Sequence, residues 1–328
     1  MSSSSEMSLI VITPDRFDTV RRIVRALRKQ SICDRLELVI VAPSVDCLDI
    51  DRVETKGFAA VQVVELGGSL CSTSVARSVG IRAATAPVIA LTEDHCFPAA
   101  DWAEKLLARH DEGWAGVGAV FGNANPATAV SWANFLVEYG DFAEPVAGGE
   151  ASMIPGHNSS YKRHVLLGYG DRLPQMLEAE TAMQWDLIAK GHHFYLEPEA
   201  RSFHLNYSML GRSLPLRFDG GRLFAANRAR DWSVAKRALF TFASPLIPLV
   251  RFSRVVRTVH GLGRQIPLRT LPTAALLLLV DGVGEMVGYA AGAGSAMRKL
   301  SDGEFRRERF LREQDHWNPE MEAVPATR

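Results

Sequence analysis

Glu93, Asp94 and His95 stand side by side directly after the short apolar run of residues 87–91 and just before Cys96-Phe97-Pro98. The run reads as a buried strand, so it delivers two carboxylates and an imidazole to its carboxyl end. In an open α/β sheet that end is where ligands bind. Carboxylate and imidazole groups together suit a divalent cation, and such a cation carries phosphate oxygens. A polar turn closing a strand has the same composition, so the surrounding elements must discriminate between the two readings.

Those elements alternate. Residues 8–13 (SLIVIT) form an apolar, β-branched run ended by Pro14. Asp18 is the expected N-cap of a helix on which Val20, Ile23, Val24 and Leu27 recur at helical spacing. Residues 36–42 read as a second strand closed by Pro43-Ser44, and residues 60–66 as a third, followed by Gly67-Gly68. Residues 74–84 read as a helix leading into the 87–91 strand. This order predicts an α/β fold with a mostly parallel central sheet covered on both faces. Further on, residues 102–110 and 129–139 are expected helices and 115–121 a strand, with Trp132 in the core. Residues 148–155 read as loop, and 156–161 precede a short helical piece. Residues 181–190 are a helix stopped by Gly191, and 193–196 and 202–205 are two short strands.

The 328 residues are 47% hydrophobic and 23% charged, ordinary for a globular chain, and the formal net charge of zero gives no global case for nucleic-acid binding. Cys33, Cys47, Cys71 and Cys96 lack close metal-ligand spacing and read as small core or near-core residues of a reducing compartment. Residues 1–7 are Ser-rich, expected to be disordered, and lack the basic and apolar regions of a signal peptide, so a cytoplasmic location is expected.

Four pieces, in order, resemble a family 2-type glycosyltransferase: Val11-Ile12-Thr13-Pro14 with a helix running to Gln30; Ala76-Arg77-Ser78-Val79-Gly80-Ile81 leading to the acidic strand end; Gly156-His157-Asn158-Ser159-Ser160-Tyr161; and Glu180 followed by Leu187, Gly191, Pro198-Glu199-Ala200 and His204. The resemblance implies the GT-A (nucleotide-diphospho-sugar transferase) fold over residues 8–215, with residues 216–328 as a helical C-terminal extension. It implies a nucleotide-diphosphate sugar donor, a hydroxyl acceptor (glycan, lipid or small molecule), inversion at the anomeric carbon, and Mn²⁺ or Mg²⁺. On it, Asp94 and His95 lie near the metal with His204 as a further ligand. Thr13, Pro14, Asp15, Gly67, Arg77, Glu93, Asp94, His157 and Asn158 lie on the nucleotide-sugar side. Glu180 is the general base, with Glu178 as its understudy.

The chain departs from the family pattern in three places. Glu93-Asp94-His95 replaces an Asp-x-Asp triplet, and the imidazole suits Mn²⁺ better than Mg²⁺. Ala42-Pro43-Ser44 replaces acidic residues after the second strand, and Ser78 stands where Asn is common. The altered triplet keeps open a second reading, a glycosyltransferase-like protein that binds a sugar nucleotide or a partner without turnover. A nucleotidyltransferase ranks lower, because Thr13-Pro14-Asp15-Arg16-Phe17 is not a Gly-rich nucleotide loop.

Residues 201–312 carry 19 Lys+Arg against 7 Asp+Glu. Residues 239–250 are apolar but broken by Pro245 and Pro248, and residues 271–280 are followed by Asp281 and Glu285. Neither run reaches the roughly 18–20 uninterrupted apolar residues of a spanning helix. With Arg251, Arg254, Arg257, Arg264 and Arg269 interleaved, peripheral contact with the inner face of a membrane is expected. The alternative is a helical subdomain covering the core or a second subunit. Gly284, Gly288 and Gly292 sit four apart, a stripe that permits close helix approach. The charged residues from Ser301 onward read as a surface helix.

Overall fold

The computed structural model describes residues 5–68, 72–262 and 266–315. The expectations for the first four residues, Cys71, Arg264 and the tail beyond 315 therefore lie outside the described residues. In chain order the elements are β1 (Met7–Ile12), α1 (Phe17–Arg28), β2 (Leu36–Ala42), a one-turn α2 (Val45–Leu48), β3 (Ala60–Glu65), α3 (Thr73–Ala83), β4 (Val88–Leu91), β5 (Cys96–Pro98), α4 (Trp102–His110), β6 (Gly116–Asn123) and α5 (Ala129–Tyr139). There follow β7 (Gly149–Ala151), β8 (Ser159–Lys162), α6 (Arg163–Leu167), α7 (Leu173–Met176), α8 (Glu180–Ala189), β9 (Phe194–His204), α9 (Leu210–Arg228), α10 (Val234–Ala243), α11 (Ile247–Gly261), α12 (Thr270–Ala291) and α13 (Ala296–Phe305).

The chain folds as two compact units. The first holds the chain up to Gly122 together with Val146–Phe203; the second holds Asn123–Pro145 and the described chain from His204.

The sheet of the first unit runs β3-β2-β1-β4-β8-β6-β9-β5, with β7 added beside β9. The expected parallel core is present: β1 pairs in parallel with β2 and β4, and β2 with β3. Alternation along these strands divides the core. Leu9, Val11, Leu38 and Ile40 face α1 and α4, where Val20, Ile23, Leu27, Trp102 and Leu106 cover them. Ile10, Val39, Val41 and Ile89 face the other way, against Ala76 and Ile81 of α3 and Met183 and Leu187 of α8. Gly80 lets α3 sit on the sheet, since a Cβ there would lie 2.8 Å from Ile10 Cγ2 and 2.9 Å from Val41 Cγ2.

Glu37, fully buried inside β2, is a strut the apolar pattern hid. It accepts hydrogen bonds from the hydroxyl of Ser8, the amide of Gln62, and the backbone N–H and hydroxyl of Thr85 at 2.8 and 2.9 Å. Burial pushes its carboxyl up, but these donors outweigh burial and hold it below its ordinary value.

Several expectations are corrected. Asp18 is not the N-cap of α1. Arg16 occupies that position, and Asp15 fixes the turn by accepting from Arg16 N–H at 2.5 Å and Thr19 Oγ1 at 2.7 Å. The 148–155 segment is not all loop, because β7 forms there and pairs with Phe194, Tyr195 and Leu196 of β9. The two short strands are one eleven-residue strand, β9, which passes through Pro198. There the Glu197 carboxylate accepts from Glu199 N–H at 2.9 Å, and Gly148 leaves room for the proline ring. Cys47 is exposed rather than a core residue. Gly191 does end α8, at φ +86°, in a Schellman arrangement with Gly191 N–H on Ile188 O and His192 N–H on Leu187 O.

In the second unit α12 packs on α9, α5, α10 and α11. The glycine stripe works as expected at two of its three positions. A Cβ on Gly284 would sit 2.1 Å from Phe218 O, and one on Gly288 2.3 Å from Arg222 O, so the α9 and α12 backbones touch. Gly221 of α9 answers them, 2.2 Å from Asp281 O by the same construction, whereas Gly292 ends the helix at φ +78°. The segments Val234–Gly261 and Thr270–Ala291 are long and apolar enough to cross a membrane by length and composition, because flanking residues extend the apolar runs; 17% and 50% of their most apolar windows are buried. The charged end is not a free surface helix. α13 begins at Ala296, and Arg307 beyond it is buried, donating to Leu205 O at 2.9 Å with its guanidinium over the Tyr207 ring.

Candidate active site

The carboxyl ends of β1 and β4 open onto one cluster of charged side chains in the first unit. Past β4, Thr92 stays attached to β1, its N–H and hydroxyl both donating to Ile10 O. Glu93, Asp94 and His95 are presented immediately beyond. Asp94 Oδ1 lies 2.6 Å from His95 Nδ1, so the carboxylate accepts from that nitrogen and fixes the ring. His95 Nε2 then faces Glu93 Oε1 at 3.7 Å, and both side chains are buried. An imidazole whose far nitrogen donates to a carboxylate while its near nitrogen meets a second carboxylate is the orientation metal-ligating histidines adopt. Glu93 and His95 bring ligand atoms within 4.8 Å of each other, so the donor set present fits a divalent cation.

The loop before β8 completes the arrangement. β8 was not legible as a strand; it pairs antiparallel with β4, Leu91 opposite Ser159, and so sets its preceding residues against the acidic strand end. Asn158 has φ +53°, a left-handed conformation that Asn tolerates better than most side chains. Its N–H donates to Leu91 O at 2.6 Å and its Nδ2 to Glu93 Oε2 at 2.8 Å. His157 bridges two carboxylates, with Nδ1 2.6 Å from Glu93 Oε1 and Nε2 2.6 Å from Glu180 Oε1. Burial and the neighbouring Arg77 guanidinium lower its pKa, but Glu93 and Glu180 more than offset them, and the net shift is upward. The two carboxylates therefore favour the protonated ring, and the ring links both acids.

Glu180 is the first residue of α8, and Gly156 makes space for it, since a Cβ there would lie 3.0 Å from Glu180 Cβ. Arg77 Nη1 donates to Glu180 Oε1 at 2.9 Å, and its guanidinium lies alongside His157, 2.8 Å from Nε2. Arg77 is 7% exposed, not the surface arginine that a helical position allows. Its Nε is buried without a hydrogen-bond partner among the described residues. Both contacts of Glu180 fall on Oε1, and the side chain keeps 16% exposure. The arrangement can therefore offer a carboxylate oxygen to a hydroxyl, a buried cation to an anion, and an imidazole–carboxylate set to a metal.

The positions of the remaining expected residues follow from their elements. Thr13 is buried at the end of β1, its hydroxyl donating to Arg16 O at 2.7 Å. Pro14 and Asp15 form the turn into α1, and Asp15 is occupied by Arg16 and Thr19. Gly67 follows β3 at φ +70°. Glu178 lies in the turn two residues ahead of α8. His204 closes β9 and belongs to the second unit. It is buried, Nδ1 2.8 Å from Asn206 Oδ1, its ring 4.5 Å from that of Tyr139. Asn206 also binds Asn123 and Asn125, a network that Asn123-Ala124-Asn125 hints at and sequence reasoning passed over. Gln184 was likewise missed; it ties Ile154 and the Tyr161 hydroxyl to α8.

Among curated proteins none matches the sequence. Of the solved structures, one that the chain is similar to is the crystal structure of GalNAc-T7 with UDP, GalNAc and Mn²⁺, at 13% identity and a TM-score of 0.45, over 61% of this chain and 43% of that one. The chain thus spans less than half the length of that protein. Residues 8–169 match the model of glycosyl transferase family 2, a span that includes β1, α3, the Glu93-Asp94-His95 strand end and the His157-Asn158 loop. That region of the chain belongs to glycosyl transferase family 2.

Proposed function

We propose that the chain is a metal-dependent inverting glycosyltransferase that moves a sugar from a nucleotide-diphosphate donor to a hydroxyl acceptor. The observation that carries this reading is Glu180, joined through His157 and Arg77 to the strand end that bears Glu93, Asp94 and His95. Transfer by single displacement needs the acceptor hydroxyl deprotonated as it attacks the anomeric carbon, while the nucleoside diphosphate leaves from the opposite face. Glu180 takes that proton on Oε2, with Oε1 anchored by His157 and Arg77. Arg77 offers its buried Nε and guanidinium charge to the leaving diphosphate. A bound Mn²⁺ or Mg²⁺ neutralises leaving-group charge, and His95, oriented by Asp94, with Glu93 beside it would hold the ion. His204 remains a candidate ligand on its residue type and its place in the family order. Glu178 is the alternative base.

A second reading rests on a specific observation: the Glu180 oxygen that binds Arg77 and His157 is engaged in ion pairs, which suits a protein that binds a sugar nucleotide without turnover. A panel of nucleotide sugars with and without Mn²⁺ separates the two, read by thermal shift and by nucleoside diphosphate release. Metal-dependent stabilisation together with release that a chelator abolishes supports transfer. Stabilisation without release for any donor and acceptor favours the binding protein. Absence of both across the panel overturns both readings.

A further inference from the structure

The second unit leaves an apolar face uncovered. On α10 and α11, Val234, Leu239, Phe242, Leu246, Leu249 and Val250 are 84, 65, 83, 62, 67 and 56% exposed. From Leu239 to Leu249 they recur every three or four residues, so they form one stripe that runs through the short 3-10 turn between the two helices, where Leu246 sits. Leu276, Leu279 and Val283 form a matching exposed stripe on α12. The stripes adjoin, because Gly282 packs directly on Pro248, where a Cβ would lie 2.6 Å from the proline Cγ. A continuous apolar face of this kind on a soluble surface marks an interaction site.

Its charge names the occupant. From Trp232 to Val280 the sequence contains no Asp or Glu and seven Lys or Arg. After Val250 the outer face of α11 turns from apolar to cationic, with Ser253, Arg254 and Arg257 exposed. Arg254 has Asp141 at 3.9 Å, while Lys236 lies over the Trp232 ring at 4.1 Å. Apolar side chains flanked by exposed cations suit acyl chains beneath anionic head groups. Although Val234–Gly261 is long enough to cross, the cations that follow Val250 on the same exposed side favour a face lying along the surface over one crossing it. The acids of α12, Asp281 and Glu285, point inward to Arg251 at 3.0 and 3.7 Å.

We infer that the α10–α11 face, with the outer stripe of α12, docks on an anionic phospholipid bilayer and lies in its interface. Phe242, Leu246 and Leu249 enter the acyl boundary while Arg254 and Arg257 meet the head groups. This docking does not depend on the proposed transfer chemistry, and its test reads binding alone. The full chain is co-sedimented with vesicles of phosphatidylcholine alone or of phosphatidylcholine with a third phosphatidylglycerol, at low and high salt. Binding to the anionic vesicles is expected to exceed binding to the neutral ones by about tenfold or more and to weaken with salt. Phe242→Ser with Leu249→Ser, and separately Arg254→Glu with Arg257→Glu, are each expected to lower it by about tenfold or more without shifting the thermal unfolding midpoint, since all four residues are exposed. Protein that stays in the supernatant with both vesicle types overturns the inference. So does a discrete dimer that Phe242→Glu converts to monomer while vesicle binding is absent, which makes the face an interface between copies. Equal binding to neutral and anionic vesicles overturns the head-group assignment, and protein that resists alkaline carbonate and needs detergent for release overturns the interfacial one.

Discussion

The two units both bury charge, and they do it for opposite ends. In the first, Glu93, His157, Glu180 and Arg77 meet at the open ends of parallel strands, where His157 and Glu180 retain exposure and Arg77 Nε has no partner among the described residues. In the second, Arg217 binds Glu138 at 2.7 Å and Arg251 binds Asp281 at 3.0 Å, tying α9 to α5 and α11 to α12. Glycine contacts between α9 and α12 bring the two helix backbones together beside these pairs. Buried charge alone therefore does not mark a site. What distinguishes the first cluster is convergence at strand ends with donor and acceptor capacity left over; the second spends its capacity on holding helices together.

That contrast can be broken most sharply at Glu180. Glu180→Gln is expected to lower turnover by about 10²–10⁴-fold, measured on the folded fraction of the variant. Undiminished product release from the variant removes Glu180 as base. Gly284→Val should instead act on folding, because its side chain meets the backbone of α9 at 2.1 Å. A loss of about 3 kcal/mol or more is expected in denaturant titration, with separation of α9 from α12 visible as faster hydrogen exchange. A stable variant would show that the close approach is not required.

The units should also respond to pH with opposite sign. His110 in the first is buried, its Nδ1 donating to Trp114 O and its Nε2 accepting from Ser160 Oγ, and burial lowers its pKa to about 4. Its contribution is present above pH 6.5 and is lost as pH falls toward 4. Glu285 in the second is raised by burial to about 7, against the pull of Arg251, so its contribution is present below pH 4.5 and is lost as pH rises through 7. His110→Gln should flatten the acid limb and Glu285→Gln the alkaline limb, each by on the order of 1–3 kcal/mol in denaturant titrations. Identical pH profiles for wild type and variants would remove the contrast. The smallest effect is expected at Phe242→Ser, within about 0.5 kcal/mol by thermal denaturation, because an 83% exposed ring makes little of the core. A larger loss would mean that the outer face of α10 supports the fold.

Local pattern was enough for much of this chain. The β-branched runs of β1, β2 and β4 name themselves because a strand buried on both faces is apolar throughout. α4 and α5 were bounded to the residue by their periodicity, and Gly191 marked a helix end by needing a positive φ. The Glu93-Asp94-His95 triplet and its place at a strand end followed from the same signals. β8 did not, because Ser159-Ser160-Tyr161-Lys162 is a strand only through its neighbours β4 and β6. Nor did β9, whose proline reads as a break until Glu197 and Gly148 accommodate it.

The chemistry at the site shows the same division. Residue types and order supplied Glu180, Arg77, His157 and Asn158 as candidates, by resemblance. That Arg77 is buried, and that His157 bridges Glu93 to Glu180, depends on side chains brought together across separations of 23 to 103 residues. Periodicity and capping are encoded over one or two turns, so sequence alone determined the elements and which end of the sheet carries the acids. Proximity, burial and protonation arise from packing between distant segments, and the tertiary structure decided those.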